Sequence, residues 1–202
     1  ALWEDLALYP VAVGNGSNLW GLVTHMFMHA GLMHLCRNML FLWIFGDNLE
    51  DMMGHVGFVL FYLASGLAAC ALQFVADVDS QIPMVGASGA IAGVMGGYLL
   101  LFPRARIDIL LIIVIFFRVF TVPAWTMLVL WFGIQIVNGL MADPETGGVA
   151  HWAHAGGFIA GMLFAIPVWL RRGGGGFWQA NDGKPPHPAA VYSPSHIPRV
   201  RR

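Results

Sequence analysis

Charge is scarce in this chain. Only 10% of its 202 residues are Asp, Glu, Lys or Arg, while 58% are apolar; an ordinary soluble domain carries roughly 25% charged residues, so a water-soluble domain is excluded. Lysine occurs once, as Lys184 near the C-terminus, which rules out a Ser-Lys pair inside an apolar segment. No His-Glu dipeptide occurs, so the His-Glu-x-x-His pattern of a zinc protease is absent. The two cysteines, Cys36 and Cys70, lie inside apolar helical stretches and read as small packing residues, not as a disulfide framework. No basic patch is interleaved with aromatic and polar groups, so nucleic acid is not an expected partner.

Long runs without charge are what the chain does have. Val56 to Phe74 and Pro123 to Met141 each hold 19 consecutive uncharged residues, close to the ~20 that cross a bilayer. Ala150 to Leu170 is a third candidate span, and Leu32 to Phe45, continuing through Glu50, is a fourth. The fifth is short. Pro83 and Gly86 precede a helical run from Ser88 to Phe102, closed by Pro103-Arg104-Ala105-Arg106; at 1.5 Å per residue it measures ~22 Å against a hydrocarbon core of ~30 Å. Its N-terminal end must then lie below one surface. Irregular backbone at that depth survives only against protein or in a wet cavity, so residues 75 to 87 are expected to dip inward and line one.

The distribution of charge sets the topology. Arg104, Arg106, Arg118, Arg171 and Arg172 fall on one side of a five-span arrangement, with Glu4, Asp5, Asp77, Asp79, Asp143 and Glu145 on the other; the arginine side is cytoplasmic. Asp47 and Asp51 then lie at the cytoplasmic end of a helix, which argues against a paired-aspartate mechanism at membrane depth. Ile109 to Phe117 is apolar but too short to span, and reads as interfacial or re-entrant. The fold class is thus an all-α polytopic membrane protein.

Polar groups inside a bilayer are costly and mark function. His25, His29, His34 and Asn38 form one cluster, with His34 and Asn38 four residues apart on one helix face. Gly86-Ala87-Ser88-Gly89 puts a hydroxyl at a helix N-terminus, where unpaired N–H groups and the helix dipole favour an oxyanion. Ala153-His154 is followed by Gly157 and Gly161, and Gly89, Gly93 and Gly97 recur with the same period of four. Small residues at that spacing let membrane helices pack closely, bringing the Ser88 hydroxyl and the His154 imidazole together as nucleophile and base. Taken alone, Ser88 could equally be a packing serine like Ser65. The three histidines of the first cluster could hold a metal, but no thiolate or carboxylate accompanies them, and no metal or cofactor is expected.

Together these motifs resemble the rhomboid family. Thr24-His25, His29, His34-x-x-x-Asn38, Gly86-Ala87-Ser88-Gly89 and Ala153-His154-x-x-Gly157-x-x-x-Gly161 match its pattern in order, across about residues 6 to 172. The resemblance implies an intramembrane serine endopeptidase with a Ser88–His154 dyad, His34 and Asn38 in the oxyanion hole, and His25, His29 and Glu50 as bracing positions. It implies a rhomboid-like helical bundle of which five transmembrane helices are present here, the first of the six-helix core preceding residue 1; Ala1 in place of Met reads as a fragment or a processed start. Gly21 stands where many members have Arg, which would loosen the first loop. Ala92 stands where some members stack an aromatic ring on the histidine, and Arg37 at a position usually small or apolar.

Two segments are expected: 1–172, a rhomboid-like membrane protease domain, and 173–202, a disordered Gly/Pro-rich basic tail. Expected partners are the lipid bilayer and single-pass transmembrane substrates, in a bacterial-type plasma (inner) membrane; oligomeric state is not legible. The alternative is a catalytically silent relative that binds transmembrane helices.

Overall fold

A computed structural model describes residues 2–113, 116–143 and 148–186. Glu145 and the tail from 187 to 202, which hold several of the residues read above, lie outside the described residues. The order is α1 (Leu2–Leu6), α2 (Pro10–Gly14), α3 (Gly21–Thr24), a 3₁₀ turn (His25–Phe27), α4 (Leu32–Ala76), α5 (Ser88–Leu101), β1 (Arg106–Ile113), β2 (Phe116–Pro123), α6 (Ala124–Met141), α7 (His151–Arg171) and α8 (Gly175–Asn181).

At 45 residues α4 is twice the length of a span. It is two helices joined at Gly54, whose φ of 72° and ψ of 162° only glycine adopts readily. Glu50 and Asp51 lie just before this turn, and Glu50 pairs with His55 across it at 2.5 Å. Arg172, just past α7, donates to the Met52 carbonyl at 3.3 Å, taking up an acceptor that the helix end leaves open. That contact puts the turn of α4 and the basic end of α7 on one face of the bundle.

α5 is the centre. Every residue from Ala90 to Tyr98 is buried, because α4 and α7 pack along its length. The outer faces are apolar and open: Trp43, Val56, Leu130 and Leu140 are all exposed, a surface that lipid, not water, covers. α4, α6 and α7 are long and apolar enough to cross a membrane. With α4 counted as two, the described residues hold the five helices read from the sequence; α5 is the short one, at 14 residues.

The segment before α5 is irregular, and its backbone is satisfied by the N-terminal stretch. Leu8 and Met84 exchange N–H···O bonds of 3.0 and 2.7 Å, and the Val11 N–H reaches Ser80 O at 3.1 Å. Backbone buried at membrane depth requires such partners.

Two expectations change. The described part of Ile109 to Phe117, read as interfacial or re-entrant, falls on the two strands of an antiparallel hairpin, which the all-helical reading did not include; Arg106 faces Pro123 and Asp108 faces Thr121, whose hydroxyl donates to the Asp108 carboxylate. Its β-branched and aromatic residues favour strands, and each strand pairs the other's backbone. The tail is ordered in its first part. Phe177 is buried, with its ring centroid 6.2 Å from that of Phe102; the Trp178 indole donates to Leu100 O at 3.0 Å, and the Arg104 N–H to Gly183 O at 2.9 Å. Asp182 bridges Arg104 and Lys184, and the Lys184 hydrogen bond holds its carboxyl below the usual range.

Candidate active site

Ser88 is the first residue of α5. Gly86, at φ 124°, turns the chain sharply before it, in a conformation that side-chain-bearing residues rarely adopt. The Gly86 N–H donates to His25 O at 2.9 Å. His25 is itself fixed: its Nδ1–H donates to Gly21 O at 2.7 Å, and its Nε2 lies 3.3 Å from the Cys70 thiol. Burial lowers the His25 pKa below the ordinary histidine value, which favours the neutral ring, with one nitrogen as donor and the other as acceptor. It braces the turn that presents Ser88.

His154 sits one turn into α7 and is buried. Its Nε2 is 2.8 Å from Ser88 Oγ, a hydrogen-bonding distance at which the hydroxyl can hand its proton to the ring. The glycines produce this approach: a Cβ on Gly157 would lie 2.0 Å from Gly89 O, and one on Gly161 2.0 Å from Gly93 O. The helix backbones touch where ordinary side chains would hold them apart.

His34 and Asn38 reach the same place from α4. The Ala30 N–H donates to His34 Nδ1 at 3.3 Å. A neutral ring must then carry its proton on Nε2, which lies 2.9 Å from where a Cβ on Gly86, two residues from Ser88, would stand. Asn38 is buried and spends one amide N–H on His34 O at 3.0 Å, leaving a second to donate. His29 stacks edge-on against His34, with centroids 5.2 Å apart. Glu50 is at the opposite end of its helix, on the turn at Gly54, and braces that turn instead of the site.

Ser88, His154, His34 and Asn38 all line one open cavity of about 850 Å³, whose wall also includes residues 82–86, Arg37, Trp131 and Gln135. The inward-dipping segment thus forms the wall expected of it. Arg37 is exposed to this cavity. Gly21 does not loosen the first loop: a Cβ there would stand 2.9 Å from Ala7 O, and Thr24 Oγ1 donates to Leu6 O at 2.7 Å, so the segment is closely packed.

Two neighbours of His154 were not singled out from the sequence. Ala92 supplies no ring, but the Trp131 indole of α6 takes that part, with its centroid 5.7 Å from the imidazole. Gln135, one turn further along α6, has its Oε1 2.9 Å from His154 Nδ1. A glutamine in an otherwise apolar span was a readable signal.

A family model described as Rhomboid domain matches residues 16–171. The chain is 32% identical over 181 residues, 89% of its length, to RHOMBOID-like protein 4 of Arabidopsis thaliana. It is 32% identical to Rhomboid protease GluP of Bacillus subtilis over 77% of the chain, and 38% identical to Putative rhomboid protease YdcA of the same organism over 48%. It spans 42%, 27% and 49% of these relatives' respective lengths. With the matched region running from before the first candidate histidine to the end of α7, this chain belongs to the rhomboid family.

Proposed function

We propose that this chain is a serine-type endopeptidase of the membrane, cleaving transmembrane segments of single-pass proteins with Ser88 as nucleophile and His154 as base. The observation that carries the reading is the 2.8 Å approach of Ser88 Oγ to His154 Nε2 within an open cavity. Ser88 Oγ adds to the scissile carbonyl carbon as its proton passes to Nε2. The carbonyl oxygen becomes an oxyanion, accepting hydrogen bonds from His34 Nε2–H, the spare Asn38 N–H and the first N–H groups of α5. Collapse breaks the C–N bond, and His154 returns the proton to the departing amine. Water admitted through the cavity then hydrolyses the acyl-enzyme by the same route.

A helix offers no free carbonyl for such attack, so the bound segment must unwind near its outer end. Small or helix-breaking residues there would allow it. A bacterial-type plasma membrane is the proposed setting, a reading supported by the two Bacillus relatives; plant and mitochondrial relatives make an organelle membrane the other candidate.

The test is covalent capture by a fluorophosphonate together with cleavage of a model single-pass substrate, in reconstituted lipid. Wild-type protein takes the label and cleaves; Ser88→Ala does neither. Retained labelling in Ser88→Ala, or undiminished cleavage by His154→Ala, would overturn the assignment.

A further inference from the structure

α6 turns one narrow face inward. Leu128, Trp131, Phe132, Gln135 and Gly139 lie along it at helical spacing, while Val129, Leu130, Ile134 and Val137 face out. Among these inward residues Gln135 alone carries a polar side chain capable of both donating and accepting. It is 7% exposed, and an amide so buried in an apolar span is unfavourable unless its polar atoms are partnered.

Its partners are both histidines. Gln135 Oε1 lies 2.9 Å from His154 Nδ1 and 2.9 Å from His151 Nδ1. A carbonyl oxygen has two lone pairs and can accept both bonds. Each ring must then carry its proton on Nδ1, which leaves His154 Nε2 unprotonated where it meets the Ser88 hydroxyl 2.8 Å away. The opposite tautomer would present an N–H to Oγ and could take no proton from it. A histidine's free nitrogen is set by the bond its other nitrogen makes.

We infer that Gln135 is a positioning residue: its side-chain oxygen fixes the His154 tautomer and ring orientation, making the dyad a Ser88–His154–Gln135 relay in which a neutral amide stands third. Trp131, one turn away on the same face, holds the ring from the side. The amide carries no charge, so no ion is buried at membrane depth. After proton transfer it still accepts from the imidazolium's Nδ1–H. His151, which also lines the cavity, shares the acceptor and holds the amide the right way round. This inference rests on the proposed protease reading.

The test compares Gln135→Met, which keeps size and loses the acceptor, with Gln135→Glu, which keeps an acceptor and no donor. Groups that orient a metal-bound histidine in the same way are worth about 10- to 100-fold in activity, and a loss of that order is expected here. The expected result is a kcat lower by about that factor in Gln135→Met, with KM unchanged and thermal unfolding close to wild type, and partial recovery of kcat in Gln135→Glu, whose carboxyl restores the acceptor at the cost of a buried ionisable group. Wild-type kcat in Gln135→Met, or equal impairment in Gln135→Glu, would refute it.

A ¹⁵N-histidine spectrum of unmutated protein gives an answer that needs neither folding of a variant nor turnover. His154 must show its proton on Nδ1, and a proton on Nε2 ends the inference. Wild-type protein that neither cleaves nor takes the fluorophosphonate would refute the protease reading instead, while the tautomer still decided the role of Gln135.

Discussion

Gly157 of α7 rests directly on Gly89 of α5: a methyl group added to the first would stand 2.0 Å from the carbonyl oxygen of the second. Ser88 is the residue before Gly89 and His154 lies three before Gly157, so this backbone contact sets the separation of hydroxyl and imidazole. A rigid helix pair cannot absorb an added methyl there without moving apart.

Gly157→Ala is therefore expected to affect stability and reactivity together. Overpacking of this kind costs about 1–3 kcal/mol, seen as a fall in the thermal midpoint. Because the dyad shifts with the helices, the rate of fluorophosphonate labelling should fall at least about 10-fold, since small misplacements of reacting groups are expensive in rate. Gly133→Ala is the control: a Cβ there meets nothing within 4 Å, and neither quantity should fall.

The proposed oxyanion donors make a second prediction. His34→Ala and Asn38→Ala each remove one donor, and a single lost donor of this type lowers kcat by about 10²–10³. KM should move little, because the charge they meet develops only during reaction. The double variant should lose less than the product of the two, since both donors would serve one oxyanion and act as a unit. Steady-state kinetics on a reconstituted substrate decide it; a pure KM effect would reassign both residues to substrate binding.

What could be read in the sequence followed from run length and from polar residues in apolar surroundings. The gap between Glu50 and Val56 separated two helices that the fold joins through one turn at Gly54. The short span beginning at Ser88 was visible because Pro103 and two arginines end it. His34 and Asn38 were visible through their spacing of four.

What could not be read depended on tertiary direction. Gln135 stands out as a polar residue of α6, but nothing local marks the face it shares with Trp131 as the one turned to His154. The stretch around Ile109 to Phe117 is apolar on both strand faces, so it lacks the alternation that announces a strand. Four consecutive glycines from Gly173 look like linker, and only the position of Phe177 against Phe102 shows that a helix follows and docks.

The turn at Gly54 yields a third prediction. Its φ of 72° and ψ of 162° lie in a region that only glycine occupies without strain. Gly54→Ala should cost about 1–3 kcal/mol although open space surrounds the position. Because the turn is far from Ser88, the protein that remains folded should label at the wild-type rate. A drop in labelling without a drop in stability would mean that the turn transmits its geometry to the site.

The docking of α8 can be tested in the same way, with a clean separation of packing from surface. Phe177 is buried against Phe102, whereas Gln179, on the same short helix, is exposed. Phe177→Ala removes a ring from the arginine-rich face and should lower stability on the order of 3 kcal/mol; Gln179→Ala should leave it unchanged. Loss of the ring also loosens the Trp178 bond to Leu100 O and the Gly183 carbonyl that Arg104 N–H uses. Hydrogen exchange at Arg104 should therefore rise in Phe177→Ala, while the amides around Ser88, at the other end of α5, stay protected. Unchanged stability and exchange would mean that α8 rests on the bundle without supporting it.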